Sequence, residues 1–399
     1  MEELFSYQNN LLTLTDNRWH RYLYPELKKE TRLLGLKGLR GVGKTTMMLQ
    51  YLANDCPEPG KALYVTADHP YFYTNTLFDL ASQWQRYGGK YLLIDEVHKY
   101  PRWSNEIKLI YDGHPGMTVY FTGSSALDLF KGEADLSRRL ESKSLHGLSF
   151  REYLALNYDY HFDVLTFDDI LKNHAAISKK ILSEVKLLPL FKRYLKEGYF
   201  PFAGELPEGA LPARLLQVIN TVLESDLAYV NGYSASNVEK IKRLLGVIAQ
   251  SVPFEPNIAK IVERLHLARS TVYTYLKNIQ DARILHFLYK PGMGISQLQK
   301  PGKIYFDNTC FPFAFQKEPD IGTLRETFFM NQLKNAGHIV NLSPGKGDFM
   351  IDETHIVETG GRNKDDEQIK GVSNSYLALD DIEYGFGNKI PLWLFGFLY

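Results

Sequence analysis

Only two cysteines, Cys56 and Cys310, occur in 399 residues, far apart and without metal-ligand spacing. That scarcity argues against a disulfide framework or a thiolate metal site and leads us to expect a reducing compartment. No run approaches the roughly 18 uninterrupted apolar residues that a spanning helix needs, so no membrane partner is expected. The opening MEELFSYQNN is acidic and has no apolar segment, unlike a secretory signal, and a cytoplasmic location is the expectation. Charge of one sign is missing as well. The 46 Lys+Arg balance 46 Asp+Glu, which excludes a uniformly basic nucleic-acid coat or an acidic tail and leaves room for a local basic patch. Internal repeats and low-complexity tracts are absent.

The composition that remains, 44% hydrophobic and 23% charged, is globular. The chain is too long for one ordinary core, and two to four domains are expected. Residues 8–30 read as a helical lead-in anchored by Trp19, Tyr22 and Tyr24. Four apolar runs then alternate with helical stretches: Leu33-Leu34-Gly35-Leu36, Lys61 to Ala67, Tyr91 to Glu96 and Met117 to Ser125. This pattern predicts a parallel sheet covered on both faces, with ligands at the carboxyl edge of the strands. The chemistry-bearing residues all fall at that edge.

Gly38-Leu39-Arg40-Gly41-Val42-Gly43-Lys44-Thr45, followed by Thr46, fits G-x-x-x-x-G-K-[ST] at every fixed position, between a strand and a helix. Such a loop wraps a phosphate in backbone N–H groups, and its glycines permit the close approach and the positive φ angles. The helix that follows points its positive end at the anion. Lys44 would reach the β- and γ-phosphates and Thr45 would coordinate Mg²⁺. The third strand ends in Asp95-Glu96. Asp95 would bind the metal, through water, and Glu96 would polarise the attacking water. With no Asn-Lys-x-Asp motif to read guanine, ATP is the expected nucleotide. At the end of the fourth strand, Ser124 is the chosen γ-phosphate reporter, with Thr122 and Ser125 as rivals and a helix cap as the structural alternative. Arg138 and Arg139 offer a transition-state arginine, acting on their own chain or on a neighbour in a homo-oligomer; a surface pair is the alternative.

Together the G-x-x-x-x-G-K-T-T loop, the apolar strand ending in Asp-Glu, the TGSS strand end, the arginine segment and LSFREYL (148–154) resemble AAA+ related P-loop ATPases of the AAA_14 and DUF4143 type. The resemblance extends over nearly the whole chain. It takes in a G-[GY]-[YF]-P turn at Gly198-Tyr199-Phe200-Pro201 and implies a winged helix and a C-terminal domain similar to PD-(D/E)xK nucleases. The expected fold is α/β: a P-loop parallel sheet in residues 1–150, a helical region in 151–235, a winged helix in 236–315 and a small α+β nuclease-like domain in 316–399.

Residues 257–285 also read directly as a helix-turn-helix, with Ile258, Ile261, Val262, Leu265, Val272, Leu276 and Ile279 inward and Arg269, Ser270, Thr271, Tyr273, Thr274 and Lys277 on the recognition helix. Residues 239–303 carry eleven Lys+Arg against four Asp+Glu, the footprint of a phosphate-backbone binder. DNA is therefore the candidate partner, and a packing module with a solvated basic face is the alternative. In the last segment Glu326, Asp348 and Glu358 match the acids that the nuclease resemblance implies. Position 360, where it requires lysine, is Gly. Lys364 and Lys370 are nearby cations, but a degenerate domain without nuclease activity is expected. Two other readings stay open beside an ATP-hydrolysing protein: a nucleotide-dependent assembly module and a DNA-binding regulator with little turnover.

Overall fold

The computed structural model describes residues 1–29, 31–123, 136, 138–227, 232–250, 258–291 and 301–399. They form two compact units, Met1–His146 and Gly147–Tyr399.

The first unit is built on five parallel strands: β1 (Leu33–Lys37), β2 (Ala62–Thr66), β3 (Tyr91–Asp95), β4 (Thr118–Gly123) and β5 (Glu141–Ser144), in the order β2-β3-β4-β1-β5. Side chains alternate between faces along each strand. Leu33, Leu63, Val65, Leu92, Ile94, Val119 and Phe121 join one buried cluster. Helices α4 (Leu77–Arg86) and α5 (Trp103–Gly113) supply Leu80, Trp84, Ile107 and Ile110 to it. The opposite face carries Tyr120, which packs on Tyr51 of helix α3 (Lys44–Asn54) and donates to the Leu27 carbonyl of helix α2 (Tyr24–Leu27).

Two departures from the sequence reading have local causes. The lead-in is not one helix: α1 spans Glu2–Thr13 and regular structure resumes only at α2. Thr13 and Thr15 return their hydroxyls to the carbonyls of Asn10 and Leu11, and Asp16 caps the Arg18 amide, so side chains take over the bonds a continuing helix would use. Strand β5, of sequence ESKS, was not expected at all. It is a half-buried edge strand held to β1 by backbone register, with the Lys143 ammonium on Glu26 of α2 and on Glu141, so it has no apolar signature.

The second unit opens with helices α6 (Phe150–Tyr158), α7 (Phe167–Leu182), α8 (Leu187–Glu197) and α9 (Leu211–Thr221). A capping box of Ser149 and Glu152 starts α6 inside the LSFREYL segment. Helices α10 (Ala235–Ala249), α11 (Ile258–Leu265) and α12 (Arg269–Asp281) follow, then an antiparallel pair, β6 (Leu285–Leu288) with β7 (Lys303–Phe306). The chain ends with helix α13 (Ile321–Asn335) and a second sheet, β8 (Val340–Leu342), β9 (Phe349–Ile351), β10 (His355–Gly360), β11 (Ser375–Leu379) and β12 (Lys389–Pro391). Its order is β12-β11-β10-β9-β8, parallel from β10 to β12 and antiparallel from β8 to β10. No helix among the described residues is long and apolar enough to cross a membrane.

Candidate nucleotide site

Between β1 and α3 the loop turns on Gly41 and Gly43, at φ 81° and 95°, conformations that favour glycine. Gly38 is required for a different reason: a Cβ there would lie 2.3 Å from the Leu145 carbonyl oxygen, where β5 presses on the loop. From behind, the buried Arg21 holds the loop by donating to the Val42 carbonyl and, at 2.7 Å, to that of His146. Nothing in the sequence marked Arg21. Lys44 is buried and donates to the carbonyls of Gly38 (2.9 Å) and Leu39 (3.0 Å) of its own loop. Thr46 is exposed in the first turn of α3.

The strand order gives the site its width. Because β4 lies between β1 and β3, the loop and Asp95 are separated by two strand spacings, roughly 9–10 Å. Thr45 bridges part of that gap, its hydroxyl donating to Asp95 Oδ2 at 2.6 Å. Asp95 is buried and also accepts from the Tyr64 hydroxyl (2.8 Å, on Oδ2), from Thr122 Oγ1 and from the Glu96 amide (3.2 Å). Burial and the neighbouring carboxylate push the Tyr64 phenol well above its ordinary value, so it stays a donor. Tyr64 was missed because it sits in an apolar strand and reads as core. Thr122, at the end of β4 beside Leu36, also accepts the Glu96 amide at 3.1 Å. Ser124 and Ser125 lie outside the described residues.

Glu96 is held at φ 55°, directly after β3. Its Oε2 is sealed from solvent, accepts no hydrogen bond, and faces Arg40 (3.4 Å), His98 (3.5 Å) and Lys99 (4.0 Å). The guanidinium of Arg40, expected at phosphate, lies beside this acid. Arg139 pairs with Asp112 at 2.9 Å, while Arg138 is exposed.

In the second unit Arg269, Ser270, Thr274 and Lys277 are exposed along α12, with Thr271 and Tyr273 half-buried, and the Arg269 guanidinium lies 5.9 Å from the Tyr273 ring centre. Ile258, Ile261, Val272, Leu276 and Ile279 are buried; Val262 and Leu265 are half-buried. Asn257 and residues 292–300 lie outside the described residues.

Near the C-terminus, Asp348 Oδ2 accepts from the Thr359 amide and hydroxyl, each at 2.9 Å. Lys303 sits 3.2 Å from Glu326 and 3.9 Å from Asp348. Burial, with Asp348 nearby, raises the carboxyls of Glu326 and Glu358 above the ordinary range. Lys364 reaches Glu358 at 2.6 Å, and its side chain fills the space a Cβ on Gly360 would occupy, 2.7 Å away. Lys370 instead offers its carbonyl to Lys346. Among the described residues no group of three or more His, Cys, Asp or Glu side chains is arranged to hold a metal ion.

A strand–loop–helix with Lys44 and Thr45 at the carboxyl edge of a parallel sheet, across from a buried Asp, defines a P-loop nucleotide-binding domain. Residues 30–154 match the family model of an AAA domain, AAA_14, so this segment is similar to AAA+ related P-loop ATPase domains. Residues 188–311 match a domain of unknown function, DUF8612. An uncharacterized protein of Methanocaldococcus jannaschii is 26% identical over 371 residues, spanning 86% of this chain and 78% of its own length. Among solved structures, the Walker-type ATPase of Pyrococcus abyssi aligns over 73% of this chain and 93% of its own, with 12% identity and a TM-score of 0.43. AMPPCP-bound DnaA from Aquifex aeolicus aligns over 65% and 84%, with 13% identity and a TM-score of 0.28.

Proposed function

We propose that the chain is a magnesium-dependent ATPase that couples its nucleotide state to a partner, with DNA the favoured one. The observation that carries this reading is the Thr45–Asp95 contact at 2.6 Å beside the Lys44 loop. Hydroxyl and carboxylate are the hard oxygen donors that Mg²⁺ prefers, and they already share one place, so these residues fit the ion. When bound, Mg²⁺ would neutralise charge on the β- and γ-phosphates.

The loop amides from Gly38 to Thr46 hold the phosphates and Lys44 exchanges its two loop carbonyls for phosphate oxygens. Glu96 accepts hydrogen bonding from the attacking water, and Thr122, joined to both Asp95 and the Glu96 amide, ties the metal acid to the water acid. Ser124 remains the proposed reporter. Arg138, exposed, suits an arginine offered to a neighbouring copy better than Arg139, which Asp112 holds. Steady-state hydrolysis by the full chain, Lys44→Ala and Glu96→Gln, with and without duplex DNA, is the test. Loss of turnover in both variants is expected; turnover unchanged in Lys44→Ala would sink the reading.

The exposed Arg269 and Lys277 on α12, followed by the β6–β7 pair, support a winged-helix contact with DNA. Reversing both to Glu should abolish duplex binding. Lys364 beside Glu358 favours one second reading, a separate cation-dependent phosphodiester site at Asp348 and Glu358. Plasmid nicking in Mg²⁺ that disappears in Asp348→Ala would support it, and nicking by neither protein would return the domain to a packing role.

A further inference from the structure

An ammonium stands among the carboxylates near the C-terminus, and the fold puts it there. Strand β7 carries Lys303 and Tyr305 two positions apart, so both side chains leave the same face of the strand. The backbone of Lys303 is held in register with Leu288 of β6. That face of β7 meets α13: the Tyr305 hydroxyl donates to Glu326 Oε2, and the Lys303 ammonium donates to the same oxygen at 3.2 Å. Asp348 Oδ1, just ahead of β9, lies 3.9 Å from that ammonium. One cation thus faces two carboxylates brought in by different elements. All three side chains are largely enclosed, at 21% exposure for Lys303, 15% for Glu326 and 18% for Asp348.

The nuclease resemblance implies Mg²⁺ on these acids, and the residues present do not fit it. Mg²⁺ demands a near-octahedral shell of oxygens at about 2.0–2.1 Å, and an ammonium, with three donors and no lone pair, cannot join such a shell. Asp348 Oδ2 already accepts the Thr359 amide and hydroxyl, and its Oδ1 faces Lys303. Glu358 is engaged by Lys364. Each of the three acids therefore has a lysine of the chain as its counter-charge. Neighbouring enclosed carboxylates repel one another unless a cation is shared between them, and here the chain itself carries that cation.

We propose that Lys303 is a built-in cation: its ammonium takes the position of a divalent ion between Glu326 and Asp348, and so fastens the β6–β7 pair to the C-terminal sheet. This place works without a metal, and its role is to hold two parts of the second unit together. The proposal counts against the second reading given above. It is independent of the ATPase reading, because all its residues lie in the second unit.

The test is thermal melting of the full chain without nucleotide, with and without millimolar Mn²⁺, which binds the same oxygen ligands as Mg²⁺. The proteins are the parent, Lys303→Met, Asp348→Asn and the double variant. Lys303→Met leaves two enclosed carboxylates without their cation and should melt about 5–10 °C below the parent. Mn²⁺ should restore much of that loss, and the restoration should vanish in the double variant, which no longer has the second acid. The parent and Asp348→Asn should respond to Mn²⁺ alike. Any metal bound at the phosphate loop contributes equally to all four proteins, so a failure of the ATPase reading leaves these comparisons intact. A Mn²⁺ response in the parent that Asp348→Asn removes would show a divalent ion displacing Lys303, and overturns the proposal in favour of the second reading. A Lys303→Met protein that melts with the parent, or that gains nothing from Mn²⁺ beyond the parent's own response, overturns it outright. Should Lys303→Met not fold, Lys303→Gln takes its place with the same outcomes, since its amide still donates to Glu326 but brings no charge.

Discussion

Tyr64→Phe removes one atom from the centre of the site and nothing from the core. The ring is 1% exposed and keeps its packing; only the hydroxyl bonded to Asp95 Oδ2 at 2.8 Å is lost. Hydrogen bonds to charged groups contribute about 1.5–3 kcal/mol, and the buried carboxylate cannot recruit water in compensation, so the first unit should lose about that much stability. In the proposed metal-bound state the effect grows. Thr45 and Tyr64 share Oδ2, and a Thr45 hydroxyl turned towards Mg²⁺ leaves Tyr64 to orient that oxygen. Partners that orient a metal-binding carboxylate are typically worth about 10- to 100-fold in metal affinity. Denaturant unfolding of the full chain, followed through the transition that nucleotide shifts, gives the first quantity. The Mg²⁺ dependence of nucleotide binding gives the second. Stability within about 0.5 kcal/mol of the parent and an unchanged Mg²⁺ midpoint would refute the role assigned to Tyr64, because experimental scatter is smaller than the effect worked out above.

Gly38→Ala should cost about 1–3 kcal/mol and abolish nucleotide binding, since its Cβ meets the Leu145 backbone at 2.3 Å; thermal melting and calorimetry read both. Lys364→Met should cost about 1–2 kcal/mol in denaturant titrations by stranding the nearly buried Glu358 carboxylate, whereas Lys370→Met should be neutral. Asp307 is fully buried, and burial outweighs the nearby Arg283 in pushing its carboxyl up. A raised carboxyl favours the folded state at low pH and loses that advantage as pH climbs past the ordinary value of about 3.9. Melting temperatures measured from about pH 4 upward should therefore fall less steeply in Asp307→Asn than in the parent.

The sequence disclosed what depends on neighbours along the chain. The four apolar strands were visible because burial on both faces demands continuous Val, Leu, Ile, Phe and Tyr, and the loop was visible because φ angles of 81° and 95° demand glycine at 41 and 43. Strand β5 was invisible because its stabilisation is backbone register and ion pairs, which leave no periodic trace. Arg21, Tyr64 and the Arg40–Glu96 pair belong to a second class, contacts made across the sheet edge by residues 20 to 60 positions apart, whose identity alone is compatible with surface or core. Arg40 is the instructive case: the loop pattern assigned it to phosphate, and the fold also brings its guanidinium to 3.4 Å from the Glu96 carboxylate.

Gly360 and Lys364 carry the same point further. The nuclease resemblance requires a lysine at 360, and the structure places the ammonium of Lys364, four positions later, 2.6 Å from Glu358. Glycine at 360 is what clears the path, because any Cβ there would lie 2.7 Å from the Lys364 chain. Glycine at 360 and the Lys364–Glu358 ion pair are therefore one arrangement of the fold, each depending on the other.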